Sequence, residues 1–366
     1  MLSAVAIRSE RRTLVNSAKY IGMDVHTATV SVAVRDAAGK RILESVLEAK
    51  ASTIPQFIHG LRGELHVTFE EGTWAAWLYD LLKPYVTNLV VCDSRRNALL
   101  QEGSKNGRID GRKLSELLRA NLLRPVYHGE NGLRPLKELV RAYLTLSKDL
   151  TRVMHRVKAR YRGWGIPCAG QSVYHPRHRG EWLRKITQAS ARRRAQLCHL
   201  QLDMLVGLRQ QARQELRVAA KKHPAWKFLR SIPALGPSRA AVLMAMVQTP
   251  HRFRTKRPLW KYVGFGVVTH SSADHRHVEG QLQRSKKSLS VRGLHNHDLK
   301  DLFKGAAIQA STREGPFRQF YAARVGKGMR PEMARLTLAR RMVTLAFTVC
   351  KKGVVFDTQY LKPQTA

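Results

Sequence analysis

Residues 20–44 read YIGMDVHTATVSVAVRDAAGKRILE, and their alternation decides the fold class. "YIGMDV" and "ATVSVAVR" are strands, the second with Val30, Val32 and Val34 on one side, and "DAAGK" is the turn before a third strand, "RILESVLEA". "ELHVTFEE" (64–71) and "NLVVCD" (88–93) are a fourth and a fifth strand, separated by the helix "WAAWLYDLLK" (74–83). A second helix, "DGRKLSELLRANLL" (110–123), follows. Three leading strands and then alternating strand and helix predict an α/β domain with a mixed sheet.

The middle of the chain has another period. Leu136, Leu139, Tyr143, Leu146, Leu150, Val153 and Val157 recur at spacings of three and four, a heptad seam that "RGWGIPCAG" interrupts. A helical stretch resumes near Glu181 with Leu197, Leu200, Met204 and Leu208 on one face. This predicts either an antiparallel helix pair within the chain or a coiled-coil dimer arm. "HPAWKFLRSIPALGPSRAAVLMAMV" (223–247) then reads as helix, Gly-Pro turn and helix, resembling a helix-hairpin-helix whose turn amides can hold a phosphate. "YVGFGVVTHSSADHRHVEG" (262–280) predicts a β hairpin, and "PEMARLTLARRMVTLAFTVCKKG" (331–353) a helix apolar on most sides and therefore buried.

Composition narrows the partners. The 366 residues carry 65 Lys and Arg against 26 Asp and Glu, a formal net charge of +39. Charge of that size attracts polyanions and excludes an ordinary small-molecule enzyme, although a structural nucleic-acid binder shares it. Hydrophobic residues at 43% support packed cores rather than a disordered basic tail. The four cysteines are too scattered for a zinc finger or a disulfide framework, and no apolar run reaches membrane length. The expectation is a soluble protein of a reducing cytoplasm.

In so basic a chain the placement of acids is informative. Phosphodiester chemistry by divalent cations needs carboxylates that converge from distant segments, because hard cations take oxygen ligands. Asp24 ends the first strand, Glu70 ends the fourth beside Glu71, and Asp110 opens the helix after the fifth. The ends of those elements lie on one rim in a sheet of this order, so the three acids are candidate metal ligands. Each has a plainer reading: Asp24 as the start of a turn, Glu70 or Glu71 as a solvated residue, Asp110 as a helix N-cap. Against the last, Asp110 shares a helical face with Leu114, Leu117 and Leu118.

"THSSADHRH" (269–277) is the second candidate. A serine that attacks phosphorus needs an exposed hydroxyl, nearby cations and a basic groove. Ser271 and Ser272 offer the first, and Arg276 with Arg284, Lys286 and Lys287 the others as nucleic-acid contacts. The plainer reading is two serines in a polar loop. His275 and His277 with Asp274 lack a further spaced ligand and carry little weight as a metal cluster.

At these blocks the sequence resembles the DEDD transposases of the insertion sequence 110 family, particularly its 1111 branch. "YIGMDVHTATVSVAV" matches the opening Asp strand, "VTFEEGTWAAWLYDLL" the Glu block and "GRIDGRKLSELLR" the last acidic block. "SIPALGPSRAAVL" and "YVGFGVVTHSSAD" match the C-terminal transposase segment, so the resemblance runs from about Tyr20 to Gly353. It implies a RuvC-like, ribonuclease H-like domain over 19–128, a coiled-coil helical region over 129–222 and a C-terminal transposase domain over 223–353, with tails at 1–18 and 354–366. It also implies a homo-oligomer, dimer or tetramer, that recombines donor and target double-stranded DNA in the bacterial cytoplasm, associated with the nucleoid. A structured noncoding guide RNA would select the sites and Mg2+, or Mn2+ in its place, would serve the acids. Residue by residue, the resemblance carries the first acid to Asp24, the second to Glu70 with Glu71 as the register rival, and the last to Asp110. The nucleophile falls on Ser272, with Ser271 one residue away.

One position departs. Where the family has its third acid, three residues before Asp110, this chain has Gly107, leaving Asp93 or Glu102 to substitute. Two other readings follow from that gap and from the plain view of the serines: a RuvC-like nuclease that uses metal and water, and a catalytically impaired nucleic-acid-binding copy.

Overall fold

The computed structural model describes residues 18–93, 95, 106–129, 133–266, 268–270, 275–278, 281–284, 288–290 and 295–361, with the strands of 268–290 described by their backbone. The chain divides into two compact units, residues 1–129 and 130–366.

The first unit is a five-stranded sheet in the order β3-β2-β1-β4-β5. β1 (Lys19–Val25), β2 (Thr29–Arg35) and β3 (Arg41–Glu48) form an antiparallel meander, and β4 (Leu65–Glu70) and β5 (Asn88–Cys92) add in parallel beside β1. The turn predicted at "DAAGK" is present. Asp36 Oδ1 accepts from the Lys40 amide at 2.8 Å, and Gly39 takes a φ of 90° that a side chain would resist. This mixed sheet and its helices are compatible with a ribonuclease H-like fold.

Pleating assigns alternate residues to opposite faces. Ile21 and Met23 with Val67 and Phe69 enter a core closed by two helices, α1 (Thr53–His59) and α2 (Ala75–Leu82). Ile54, Ile58, Leu78 and Leu82 are fully or almost fully buried there. The sequence reading had no helix at α1. Its single turn pair of isoleucines is too short to display a period, and Pro55 disguises it, although proline is tolerated in a first turn, where amides have no partner within the helix.

The other face packs on α3 (Gly107–Arg119), which buries Leu114, Ser115, Leu117 and Leu118. Its N-cap is Asn106, whose side chain accepts from the Arg108 amide at 3.1 Å. The N-cap reading of Asp110 is therefore corrected: Asp110 lies within the first turn, its amide bonded to the Asn106 carbonyl. Gly22 lets helix and sheet touch, since a Cβ there would stand 2.2 Å from the Gly111 carbonyl oxygen.

The second unit is helical. α4 (Arg134–Arg162) and α6 (Ala189–Lys221) run antiparallel, joined through the short α5 (Arg179–Arg184). The Tyr161 hydroxyl lies 3.0 Å from His199 Nε2, and Arg209 Nε donates to Ser147 Oγ at 3.0 Å, so rising numbers on one helix meet falling numbers on the other. That is the intrachain helix pair of the two arrangements the sequence allowed. The seam differs in detail. α6 turns Ala195, His199, Leu202, Ala212, Leu216 and Ala220 inward, while Leu197, Leu200, Met204 and Leu208 are 43–65% exposed. Small alanines let the bulkier Leu, Val and Tyr side chains of α4 approach, and the leucine row that stood out in the sequence lies off that seam.

Leu136 and Val140 of α4 and Leu216 and Ala220 of α6 belong to the same core as the remaining helices. α7 (Ala225–Arg230) and α8 (Pro237–Val247) are the predicted helices either side of the Gly-Pro turn. α9 (Lys256–Val263), α10 (His297–Thr312), α11 (Pro316–Gly326) and α12 (Pro331–Lys352) complete the unit. α12 buries Leu338, Met342, Val343, Leu345 and Val349, as its all-round apolar sequence predicts. The hairpin expected over 262–280 is rearranged. Tyr262 and Val263 end α9, Gly264 stops it at a φ of 88°, and the strands pair in two sets. β6 (Val268–His270) joins β9 (Ser288–Ser290), while β7 (His275–Val278) joins β8 (Gln281–Arg284).

Candidate active site

Asp24 and Glu70 are neighbours by register. β1 and β4 are parallel with Met23 opposite Phe69, so the next residue on each strand is an acid. Both acids have the parity of Tyr20 and His66, whose rings stack on one sheet face at 5.0 Å. That parity directs them to the α3 side. α3 brings Gly107 and Asp110 to the same strand ends: a Cβ on Gly107 would stand 3.1 Å from Asp24 Oδ2 and 2.9 Å from Ser31 Oγ. The three acids selected from the sequence thus belong to one rim.

Their surroundings differ. Asp24 has 16% of its side chain exposed, and Oδ2 is buried without an aligned hydrogen bond although His26 Nε2 is 2.9 Å away. Burial pushes its carboxyl above the ordinary aspartate value; His26 pulls it back and the Asp110 charge pushes it further up. Asp110 is partly exposed, with Lys113 Nζ 4.0 Å from Oδ1. Glu71 Oε2 lies 2.7 Å from His128 Nε2. Glu70 sits opposite Cys92 in the β4–β5 register. Burial, and then the Glu70 charge, push the Cys92 thiol up to about 12, so it stays protonated. Beside Glu70 is a polar pocket of about 300 Å³, lined by Val25, His26, Thr27, Glu70, Thr73 and Trp74 among others.

Hard oxygen donors, one of them buried and unaligned with any hydrogen-bond partner, suit a divalent cation. Among the described residues no group of three or more His, Cys, Asp or Glu side chains is placed to hold a metal ion, so the three acids share a rim without meeting at one point. The rim is an open set of donors. Asp93, a sequence candidate for the absent acid, follows β5 and accepts from the Arg95 amide at 3.1 Å, and Glu102 lies outside the described residues.

The serine segment gives less. Ser271, Ser272, Lys286 and Lys287 lie outside the described residues. Arg276 is on β7 and Arg284 on β8, where the register pairs His275 with Arg284. Among the described residues no helix is long and apolar enough to cross a membrane.

The residue that sequence reasoning passed over is His26. Its signal is an imidazole two residues beyond a strand-end acid.

Two family models match the chain. A DEDD transposase model of IS110 elements, described as transposase, covers residues 21–161, and the model of the transposase IS116/IS110/IS902 family covers residues 227–322. The first spans the sheet, α3 and α4, and its acidic site implies dependence on a divalent metal. Among curated proteins, the chain is 26% identical over 152 residues to an insertion element IS116 uncharacterized 44.8 kDa protein of Streptomyces clavuligerus. That match takes in 42% of this chain and 36% of the relative. It is 26% identical over 145 residues to an insertion element IS110 uncharacterized 43.6 kDa protein of Streptomyces coelicolor, covering 40% of this chain and 33% of that one. The chain spans about a third of the length of the curated relatives it matches.

Proposed function

Since the chain belongs to the IS116/IS110/IS902 family of transposases, we propose that it cuts and exchanges DNA strands of an insertion sequence. The observation that carries this reading is the convergence of Asp24, Glu70 and the start of α3 on one rim, within a chain of net charge +39. The fold is read as ribonuclease H-like of the RuvC kind, with a helical insertion and a C-terminal transposase domain.

Asp24, Glu70 and Asp110 would hold the cation, Mg2+ or Mn2+. When bound, it would supply a Lewis acid beside the scissile phosphate and neutralise charge there. Ser272 Oγ attacks phosphorus, forming a serine–phosphate bond as one strand oxygen leaves, and the serine proton passes through solvent to that oxygen. Ser271 is the register alternative. Arg276, Arg284, Lys286 and Lys287 are assigned to the nucleic-acid backbone, where cations stabilise the transferring phosphoryl group. Donor and target double-stranded DNA are the substrates, and a structured noncoding RNA selects them. Delegated selection is in keeping with charge that reads phosphates rather than bases. Assembly as a homo-oligomer lets paired strands be exchanged.

The test is covalent capture. Ser272→Ala is expected to abolish the protein–DNA adduct on denaturing gels while leaving RNA binding intact, and an adduct formed by the alanine protein refutes the serine assignment. Free ends without adduct favour the nuclease that uses metal and water. Gly107 favours one further reading, a copy that binds nucleic acid but is impaired in exchange. Normal binding without exchange, restored by Gly107→Asp, identifies it.

A further inference from the structure

A cavity of about 280 Å³ lies among α7, α8, α9, α10 and α12 of the helical unit, and among the described residues its lining carries no Lys, Arg, Asp or Glu. In a chain of net charge +39 that composition sets it apart from any surface for phosphates. Leu229, Phe303 and Val343 of the lining are buried, whereas Gln248, Thr249 and Pro250 are half-buried and Pro224 is exposed, so the lining runs out to solvent. Gln248 ends α8 in a conformation that glutamine resists: its φ is 62° and its ψ −67°, and the Thr249 amide donates to the Val247 carbonyl at 2.8 Å. A three-residue turn of that hand is rare and strained, and strain of this kind gathers at ligand clamps. His223 Nδ1 accepts from the Ala225 amide at 3.1 Å, so the neutral ring carries its proton on Nε2. Burial lowers that imidazole below its ordinary value and pushes the Cys350 thiol up to about 12, which leaves the lining uncharged at neutral pH.

We propose that this cavity binds a small, uncharged aromatic molecule of about two fused rings that carries a hydrogen-bond acceptor. Size sets the ring count: a dry cavity of about 150 Å³ takes benzene, and this one has nearly twice that volume. Phe228, Phe303 and Phe347 offer aromatic surface, and the Met244 thioether adapts to the shape that remains. A charged ligand is excluded, because nothing in the lining would pair with it. The polar handle is the His223 Nε2–H, a donor that an acceptor atom on the ligand satisfies, with the Gln248 amide at the mouth. Occupancy ties α7 and α8, on either side of the Gly-Pro turn, to α12 and stabilises the unit by mass action. The site is independent of the cation rim and of the serine.

The test titrates the full chain near neutral pH with quinoline, whose ring nitrogen accepts a hydrogen bond, and with naphthalene, of the same shape without the acceptor. Both are expected to bind saturably and to raise the thermal midpoint. Both should also shift the 13C-methyl resonance of Met244, which lines the cavity, while that of Met204, 65% exposed on α6, stays in place. His223→Ala should weaken quinoline relative to naphthalene by about three- to tenfold, the value of one hydrogen bond. Cys350→Phe, which projects a ring into the cavity, should abolish both shifts; where that variant fails to fold, Met244 in the wild type decides. No saturable binding of either compound by the folded wild type overturns the site, as does binding that leaves Met244 unmoved. A His223→Ala protein that loses both compounds equally, or neither, overturns the role of His223 as the donor.

Discussion

The backbone of Gly107 faces the carboxylate of Asp24 closely enough that a single added carbon at residue 107 would stand 3.1 Å from Oδ2. An aspartate introduced there meets the Asp24 carboxylate, whose Oδ2 is buried, the imidazole of His26 and, at 2.9 Å, the movable hydroxyl of Ser31. The expected outcome of Gly107→Asp depends on the cation. Without one, repulsion by Asp24 opposes a gain of about 1 kcal/mol from replacing a helical glycine and placing an acid in a first turn. With Mg2+ the new carboxylate becomes a ligand, so Mg2+ should raise the thermal midpoint more in the variant than in the wild type. Calorimetry in EDTA and then in Mg2+ checks the difference.

Gly22 controls the distance between sheet and helix. A Cβ there would stand 2.2 Å from the Gly111 carbonyl oxygen and 2.4 Å from the Ser115 nitrogen, both backbone atoms with no freedom to rotate away. Gly22→Ala must push α3 outward, and α3 carries Asp110. Overpacking of this kind costs about 1–3 kcal/mol. Chemical denaturation should show that loss, together with weakened divalent binding although no acid has been altered.

The two glutamates that the sequence left as register rivals have different surroundings. Glu71 Oε2 is 2.7 Å from His128 Nε2, and its amide donates to the Cys92 carbonyl. Glu70 lines the pocket beside β1. Glu70→Gln is expected to lower strand exchange by two orders of magnitude or more, as loss of a charge that stabilises a transition state does. Glu71→Gln should keep activity within a few fold and cost about 0.5–2 kcal/mol of stability, the value of one partly exposed charged hydrogen bond. Equal losses in a DNA exchange assay would return the assignment to ambiguity and count against the register argued here.

A linear sequence carries some parts of this rim and not others. The shared rim of Asp24, Glu70 and Asp110 was legible because strand ends and a helix start are marked by alternation and by a charged residue where it stops. Three-dimensional conjunctions were not. The closeness of Gly107 to Asp24 and His26 depends on a turn and a helix terminus meeting, and nothing in the spacing of His26 and Gly107 along the chain announces it. The face of α6 was misjudged for a related reason. Leu197, Leu200, Met204 and Leu208 are the more apolar row, yet the row with alanines packs closer, and closeness rather than hydropathy chose the buried side.

His199 makes that buried side sensitive to acid. It is 1% exposed, with Nε2 3.0 Å from the Tyr161 hydroxyl and Nδ1 without a hydrogen-bond partner. Burial, and then the nearby Arg179 guanidinium, lower its imidazole to about 4, with Asp203 opposing. Asp203 is held by Arg179, whose Nη2 donates to Oδ1 at 2.7 Å, so its negative charge is largely committed. Between about 4 and the ordinary histidine value the unfolded chain binds a proton that the folded hairpin refuses. Stability therefore rises with pH across that window and is lost as pH falls through it, by up to about 3 kcal/mol for one group. His199→Gln can still accept from Tyr161 but does not titrate. Hydrogen exchange of the α4 and α6 amides should accelerate from pH 6.5 to pH 4, after correction for the intrinsic rate, in the wild type and change far less in the glutamine variant. A wild-type hairpin whose protection is as flat with pH as the variant's would show that His199 keeps its proton balance on folding.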